Sequence, residues 1–167
     1  MRRVALAIAI SAAVVPAWGE TGQSGVWTYT YEPSSTGEGG IVTALAPAPS
    51  PSADPNDPSH LVARCLGGRV EFLVGGSGGW GLSRGQIEIT TRVDDHSSET
   101  RRWDVSTNGK AAFLSEGVEA FLAALSDDGE LRVMLADAAG ARRETTFSTK
   151  GVAEVRAKIA KACPPGR

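Results

Sequence analysis

Only two cysteines occur in the chain, and they lie far apart: Cys65 in "HLVARCLGGRVEFLV" and Cys163 in "AKIAKACPPGR". In a chain that leaves the reducing cytoplasm, such a pair reads as one disulfide, because oxidising compartments form and keep these bonds. The bridge would close a loop of about 100 residues, for which chain entropy suggests a stabilisation on the order of 4–5 kcal/mol. Any fold compatible with it must return the end of the chain to an early strand.

Export is expected from the first residues. "MRRVALAIAISAAVVPAWGE" places Arg2 and Arg3 before an apolar run from Val4 to Val15, then Pro16 and the small residues Ala17 and Gly19. This is the layout of a secretory signal peptide. The run covers about 12 residues, and a bilayer-spanning helix needs roughly 20. Cleavage is expected after Gly19, so residues 1–19 are a signal peptide and 20–167 a single domain that is not membrane-embedded. Removing Arg2 and Arg3 leaves 15 basic against 19 acidic residues, a net charge of −4. A mildly acidic domain has no overall attraction for nucleic acid.

The two-residue period of β-structure runs through most of the domain. "VWTYTY" (26–31) and "IVTAL" (41–45) read as strands. The stretch 46–59, with five prolines and no periodicity, reads as an exposed, extended loop. In "CLGGRV", Gly67 and Gly68 suit the centre of a two-residue hairpin, where both positions want positive φ. Pairing outward sets Cys65 opposite Val70, Arg64 opposite Glu71, and Ala63 opposite Phe72. Leu61, Ala63, Cys65, Val70, Phe72 and Val74 then share one face, the core face, while Arg64 and Glu71 form an ion pair on the other. "QIEITTRV" (86–93) alternates with Ile87, Ile89, Thr91 and Val93 on one side. Asn108-Gly109 joins a second hairpin, and "ADAAGA" a third.

Two segments change to helical spacing. In "SEGVEAFLAALSDDG", Val118, Phe121, Leu122 and Leu125 form a stripe, with Ser115 as the expected N-cap and Gly129 as the terminator. In "GVAEVRAKIAKAC", Val152, Val155, Ile159 and Cys163 share a stripe, while Glu154 and Lys158 are spaced as an i,i+4 pair. Cys163 therefore seeks the core that Cys65 faces. The expected fold is α+β: a mainly antiparallel β-sheet or sandwich with two short helices and one disulfide, Cys65–Cys163.

Motifs with chemical content are few. "GSGGWG" (76–81) matches G-x-G-x-x-G, but a pyrophosphate site needs a helix to follow, and a strand follows here. It reads as an inter-strand loop, with Trp80 either packed beneath it or turned to a partner. Asp94, Asp95, His96 and Glu99 in "RVDDHSSET" offer oxygen and nitrogen ligands for a metal or a small enzyme site. Adjacent aspartates on an extended backbone point apart, however, so an ordinary polar loop is preferred. His60 and His96 are the only histidines, no nucleophile elbow occurs, and paired cysteines leave no free thiol. The pairs Arg101-Arg102 and Arg142-Arg143 lie in strands and should split between two faces, mostly solvated.

The series "LVARC", "ITTRVDD", "RRWDVSTNGKAAF" and "TTFSTKGVAEVRAKIAKAC" resembles the VasI/TagO-type family of periplasmic proteins associated with type VI secretion. The residues that carry the likeness are Trp27; Leu61, Val62, Arg64 and Cys65; Arg92, Val93 and Asp94; Trp103 and Ser106; and Phe147, Gly151 and Cys163. The resemblance spans about residues 26–163. It implies a periplasmic accessory or interaction protein with no enzymatic activity and no cofactor, whose partner is an envelope or secretion-system protein. A metal-binding or enzymatic module at Asp94, Asp95 and His96, or a module that binds an envelope polymer, is the alternative.

Overall fold

The computed structural model of the chain describes residues 19–35, 39–50, 52–82 and 85–164. Residues 1–18 of the expected signal peptide lie outside them. Among the described residues there are ten strands and two helices. In chain order these are β1 (Glu20–Ser24), β2 (Trp27–Pro33), β3 (Gly40–Pro47), β4 (Pro58–Leu66), β5 (Arg69–Gly76), β6 (Gln86–Val93), β7 (Glu99–Val105), β8 (Ala111–Leu114), α1 (Val118–Ala124), β9 (Glu130–Ala136), β10 (Arg142–Ser148) and α2 (Val152–Ala162). All ten strands form one antiparallel sheet in the order β1-β2-β3-β4-β5-β8-β7-β6-β9-β10.

The sheet curls until its last strand meets its fourth. β10 packs against β3 and β4 without pairing with them, and Thr145 Oγ1 donates to the Pro58 carbonyl at 2.7 Å. The concave side holds the core, where Trp27, Trp80 and Trp103 are almost fully buried. α1 sets Phe121 against Phe72 and Trp103, with centroids 5.1 and 6.2 Å away. Aromatic pairs at such spacings add to the gain from burial. α2 covers β1 to β4, burying Val152, Val155, Ile159 and Ala162.

The β4–β5 hairpin has the register its sequence dictates. Cys65 opposes Val70, Arg64 opposes Glu71, and Ala63 opposes Phe72. Gly67 and Gly68 take φ of 59° and 75°, and Arg64 Nε donates to Glu71 Oε2 at 2.6 Å. Cys65 is fully buried beneath α2 and is bonded to Cys163, with Cα atoms 5.8 Å apart.

Three expectations need correction. Ser115 is not the cap of α1. The cap is Gly117 at φ 68°, and the Ser115 hydroxyl instead donates to Asp104 Oδ2 at 2.8 Å. Gly129 does not end α1 either, since the chain becomes extended at Leu125. A glycine stands at 129 because a Cβ there would lie 2.2 Å from Asp94 Oδ1. The proline-rich stretch is not simply an exposed connection. Ala46 and Pro47 end β3, and Pro58 and Ser59 begin β4. Its middle is held by the glycine-rich loop: Gly78 N donates to Pro55 O at 2.6 Å, and Trp80 Nε1 to Asn56 O at 2.8 Å.

Contacts between distant segments tie the helices down. Arg156 of α2 donates through Nη1 to the carbonyls of Leu122, Ala123 and Leu125 at 2.9–3.1 Å, a cation at the negative end of α1. Asp127 Oδ1 accepts from Ala153 N at 2.7 Å, capping α2 from another loop. Gly151, at φ 90°, begins α2 against the β1–β2 turn, and its Cβ would lie 2.1 Å from the Ser24 carbonyl. Gly67 also has positive φ, but nothing lies within 4 Å of its Cβ position. Gly67→Ala should therefore cost only the left-handed backbone penalty, about 1–2 kcal/mol. Gly151→Ala should cost clearly more, and urea midpoints of the two variants measure the difference.

Candidate functional site

The polar loop after β6 was the sequence's strongest candidate for chemistry. Asp94 there is the only non-glycine of positive φ among the described residues, at 48°, a conformation that aspartate tolerates. Its amide donates to the Glu130 carbonyl at 2.9 Å. Its carboxylate accepts from the Glu130 amide at 2.7 Å and from the Ser126 hydroxyl. The Ser126 hydroxyl and then the Glu130 amide hold the Asp94 carboxyl below its ordinary value. Asp94 thus fastens the β6–β7 turn to the start of β9, while Asp95 beside it is exposed. Among the described residues, no group of three or more His, Cys, Asp and Glu is arranged to hold a metal ion. The metal reading of Asp94, Asp95 and His96 lacks a ligand set.

The same loop walls a cleft. Between α1 and the β6–β7 hairpin lies a space of about 430 Å³, lined by Thr91, Val93, His96, Ser97, Glu99, Arg101, Ala120, Phe121 and Ala124. Arg101 Nε and Nη2 both donate to Glu99, at 2.7 and 2.8 Å, a fork that leaves Nη1 unused. His96 Nδ1 lies 3.0 Å from the Val93 carbonyl. Since a carbonyl only accepts, Nδ1 is the donor in this contact. Thr91 stands in the core-facing row of β6, only 6% exposed.

The arginine pairs divide as strand geometry requires. Arg102 is exposed, and Arg101 lies at the cleft. Arg142 is exposed, but Arg143 is not a solvated surface residue. Its side chain is 14% exposed and donates twice to Asp137, at 3.0 and 2.8 Å, and once to Asp54. The cause is the curl of the sheet, which brings the loop at Asp54 over β10. Asp137 and then Asp54 raise the Arg143 pKa, and Asp137 is lowered in return, chiefly by Arg143. Trp80 is settled as well: at 1% exposure it plugs the space beneath the two loops.

A second surface went unremarked in the sequence. Ile41, Leu45 and Leu66 are the exposed large hydrophobics, at 42%, 37% and 43%, and all point from the convex face of β3 and β4. Cross-strand register aligns Thr28, Leu45, Val62, Leu73 and Phe113 in one row. The charges beside this row cancel, because Arg64 is bonded to Glu71 and lies 5.6 Å from the Phe113 ring centre. Outward residues of these strands were legible by alternation, but their adjacency required the sheet order.

No protein-family model matches the chain, and no curated protein or solved structure matches it significantly.

Asp94 supplies a test by pH. Its folded pKa is depressed, so its contribution is present above the ordinary value of 3.8 and is lost as pH falls through the lower folded value. Asp94→Asn keeps a residue type suited to positive φ while removing the charge. The variant should melt below wild type at pH 7, and the gap should shrink between pH 4 and pH 2, as thermal unfolding across that range will show.

Proposed function

We propose that this protein is a non-catalytic, exported accessory module that docks an envelope protein through the convex face of β2 to β5 and β8. The observation that carries the reading is the exposure of Ile41, Leu45 and Leu66 on this one face, at 42%, 37% and 43%, with half-buried Val62 and Phe113 in the row of Leu45. Exposed apolar side chains grouped on one face of a small domain commonly mark an interaction surface. The Arg64–Glu71 pair leaves the patch without net charge, so it suits a partner that presents an uncharged apolar face.

Further support comes from where the polar groups are spent. Asp94, Arg143, Asp137 and Arg156 make structural bonds between segments. The disulfide is compatible with an oxidising compartment, as is the signal-like N-terminus. The sequence resemblance to VasI/TagO-type proteins would place the partner in or near a type VI secretion apparatus of the periplasm. No helix among the described residues is long and apolar enough to cross a membrane.

A photocrosslinking residue at Leu45, in the native host, tests this directly. The expected product is an adduct to another envelope protein through an apolar peptide, reduced about tenfold by Leu66→Lys with an unchanged melting temperature. An adduct to a second copy of the chain would contradict the reading, as would attachment through a strongly charged peptide.

A further inference from the structure

The outer face of β6, β9 and β10 breaks a rule that the rest of the sheet obeys. Where charged residues stand directly opposite one another elsewhere, their signs differ: Arg64 faces Glu71, and Glu88 faces Arg102. Arg92 of β6 instead faces Arg132 of β9, the one directly opposed pair of like charge among the described residues. Such a pair is destabilising. Both side chains lie on the convex face, since Thr91, Leu131 and Val133 beside them are buried. The Nε–H of each is buried without an acceptor, which is unfavourable as well. Two costs therefore fall at one place. An uncharged residue at 92 would remove the repulsion and one of the two orphaned donors.

The neighbouring carboxylates leave the pair unbalanced. Glu144 is shared between Arg132 and Arg142, and the Asp94 carboxylate is taken up by the Ser126 hydroxyl and the Glu130 amide. Glu130, in the next row, is exposed and joins no ion pair among the described residues. Arg92, Arg132 and Arg142 thus stand against Glu130 and Glu144, three charges against two, and the local balance is positive. Thr146, opposite Arg132 on β10, extends the row with a hydroxyl. An anion seated between Arg92 and Arg132 turns their repulsion into attraction. Each guanidinium can turn its Nε–Nη edge onto that anion, which gives the orphaned donors acceptors. Two such edges converging from opposite strands need a ligand with two pairs of oxygens. A tetrahedral phosphoryl group has them, whereas a carboxylate has one pair. We infer that Arg92 and Arg132 form a phosphoryl-binding site on the convex face of β6 and β9, with the Thr146 hydroxyl as a further donor. A soluble phosphomonoester and a lipid headgroup offer this same chemistry. The site lies apart from the apolar residues of β3 and β4 and does not depend on them.

The test follows the arginine Nε–H resonances of the full disulfide-bonded protein during titration with inorganic phosphate, with acetate at matched ionic strength as the control. The Arg92 and Arg132 signals should shift saturably with phosphate, and acetate should bind roughly tenfold more weakly. Arg92→Gln should weaken phosphate binding roughly ten- to hundredfold, as the loss of a charge-assisted hydrogen bond requires. In phosphate-free buffer the same variant should melt at or above wild type, because it relieves the repulsion. A structural arginine would give the opposite thermal result. Sedimentation with phosphatidate-containing vesicles, against pure phosphatidylcholine, identifies the source of the group. Pelleting that free phosphate reverses assigns a lipid headgroup; phosphate-binding protein that stays in solution assigns a soluble ester, and both uphold the site. The proposal is overturned by the absence of saturable shifts at the two arginines, by equal binding of acetate and phosphate, by wild-type affinity in Arg92→Gln, or by its melting below wild type without phosphate.

Discussion

The fold depends on the bond between Cys65 and Cys163, which fixes the last helix over the first four strands. An antiparallel sheet of ten strands that curls on itself still has an open concave side, and α2 covers that side along β1 to β4. A helix of 11 residues is too short to be stable alone in water. Its order comes from tertiary contacts, and the disulfide removes much of the chain entropy that would otherwise release it. At the other end of α2, Gly151 packs on Ser24 and Asp127 caps the first turn. Lys158 meets Glu20 at 2.9 Å and lies 4.6 Å from the Tyr29 ring centre. The helix is thus held at both ends and along its length.

What could be read from the sequence followed from local rules. The β4–β5 hairpin was legible residue by residue, because two consecutive glycines set the turn and the two-residue period then assigns every face. The disulfide followed from inward cysteines on two elements. β1 was not legible: "ETGQS" has no apolar alternation, and Gly22 gains cover only because Tyr29, its cross-strand partner, lies across it. Ser115 failed as a cap because the β7 residue Asp104 competes for its hydroxyl. Arg143 looked solvated because Asp54, its partner, comes from a loop 89 residues away. The proline-rich and glycine-rich loops read as separate irregular segments, yet each supplies the other's hydrogen-bonding partners through Gly78, Trp80, Pro55 and Asn56.

The candidate sites were legible to different degrees. The polar loop at Asp94 to Glu99 stood out in the sequence, but its role divides in the fold. Asp94 is structural, whereas His96 and Glu99 reach the cleft. Alternation put Thr91 in one row with Ile87 and Ile89, and the fold buries all three, though β6 alone does not say which of its sides faces the core. The apolar row across the convex face was hidden for another reason. It draws single residues from four strands, and strand order is a long-range property that alternation alone does not specify.

The central claim is that one disulfide holds α2 in place and that the curled sheet relies on that helix. Thiol alkylation of the protein purified without reductant, followed by hydrogen exchange before and after reduction, tests it most directly. The account predicts no alkylation until reductant is added, then two modified cysteines and the loss of amide protection in α2 ahead of β4 and β5. Free thiols in the folded protein before reduction would contradict it, and so would α2 amides that stay fully protected once the bond is cut.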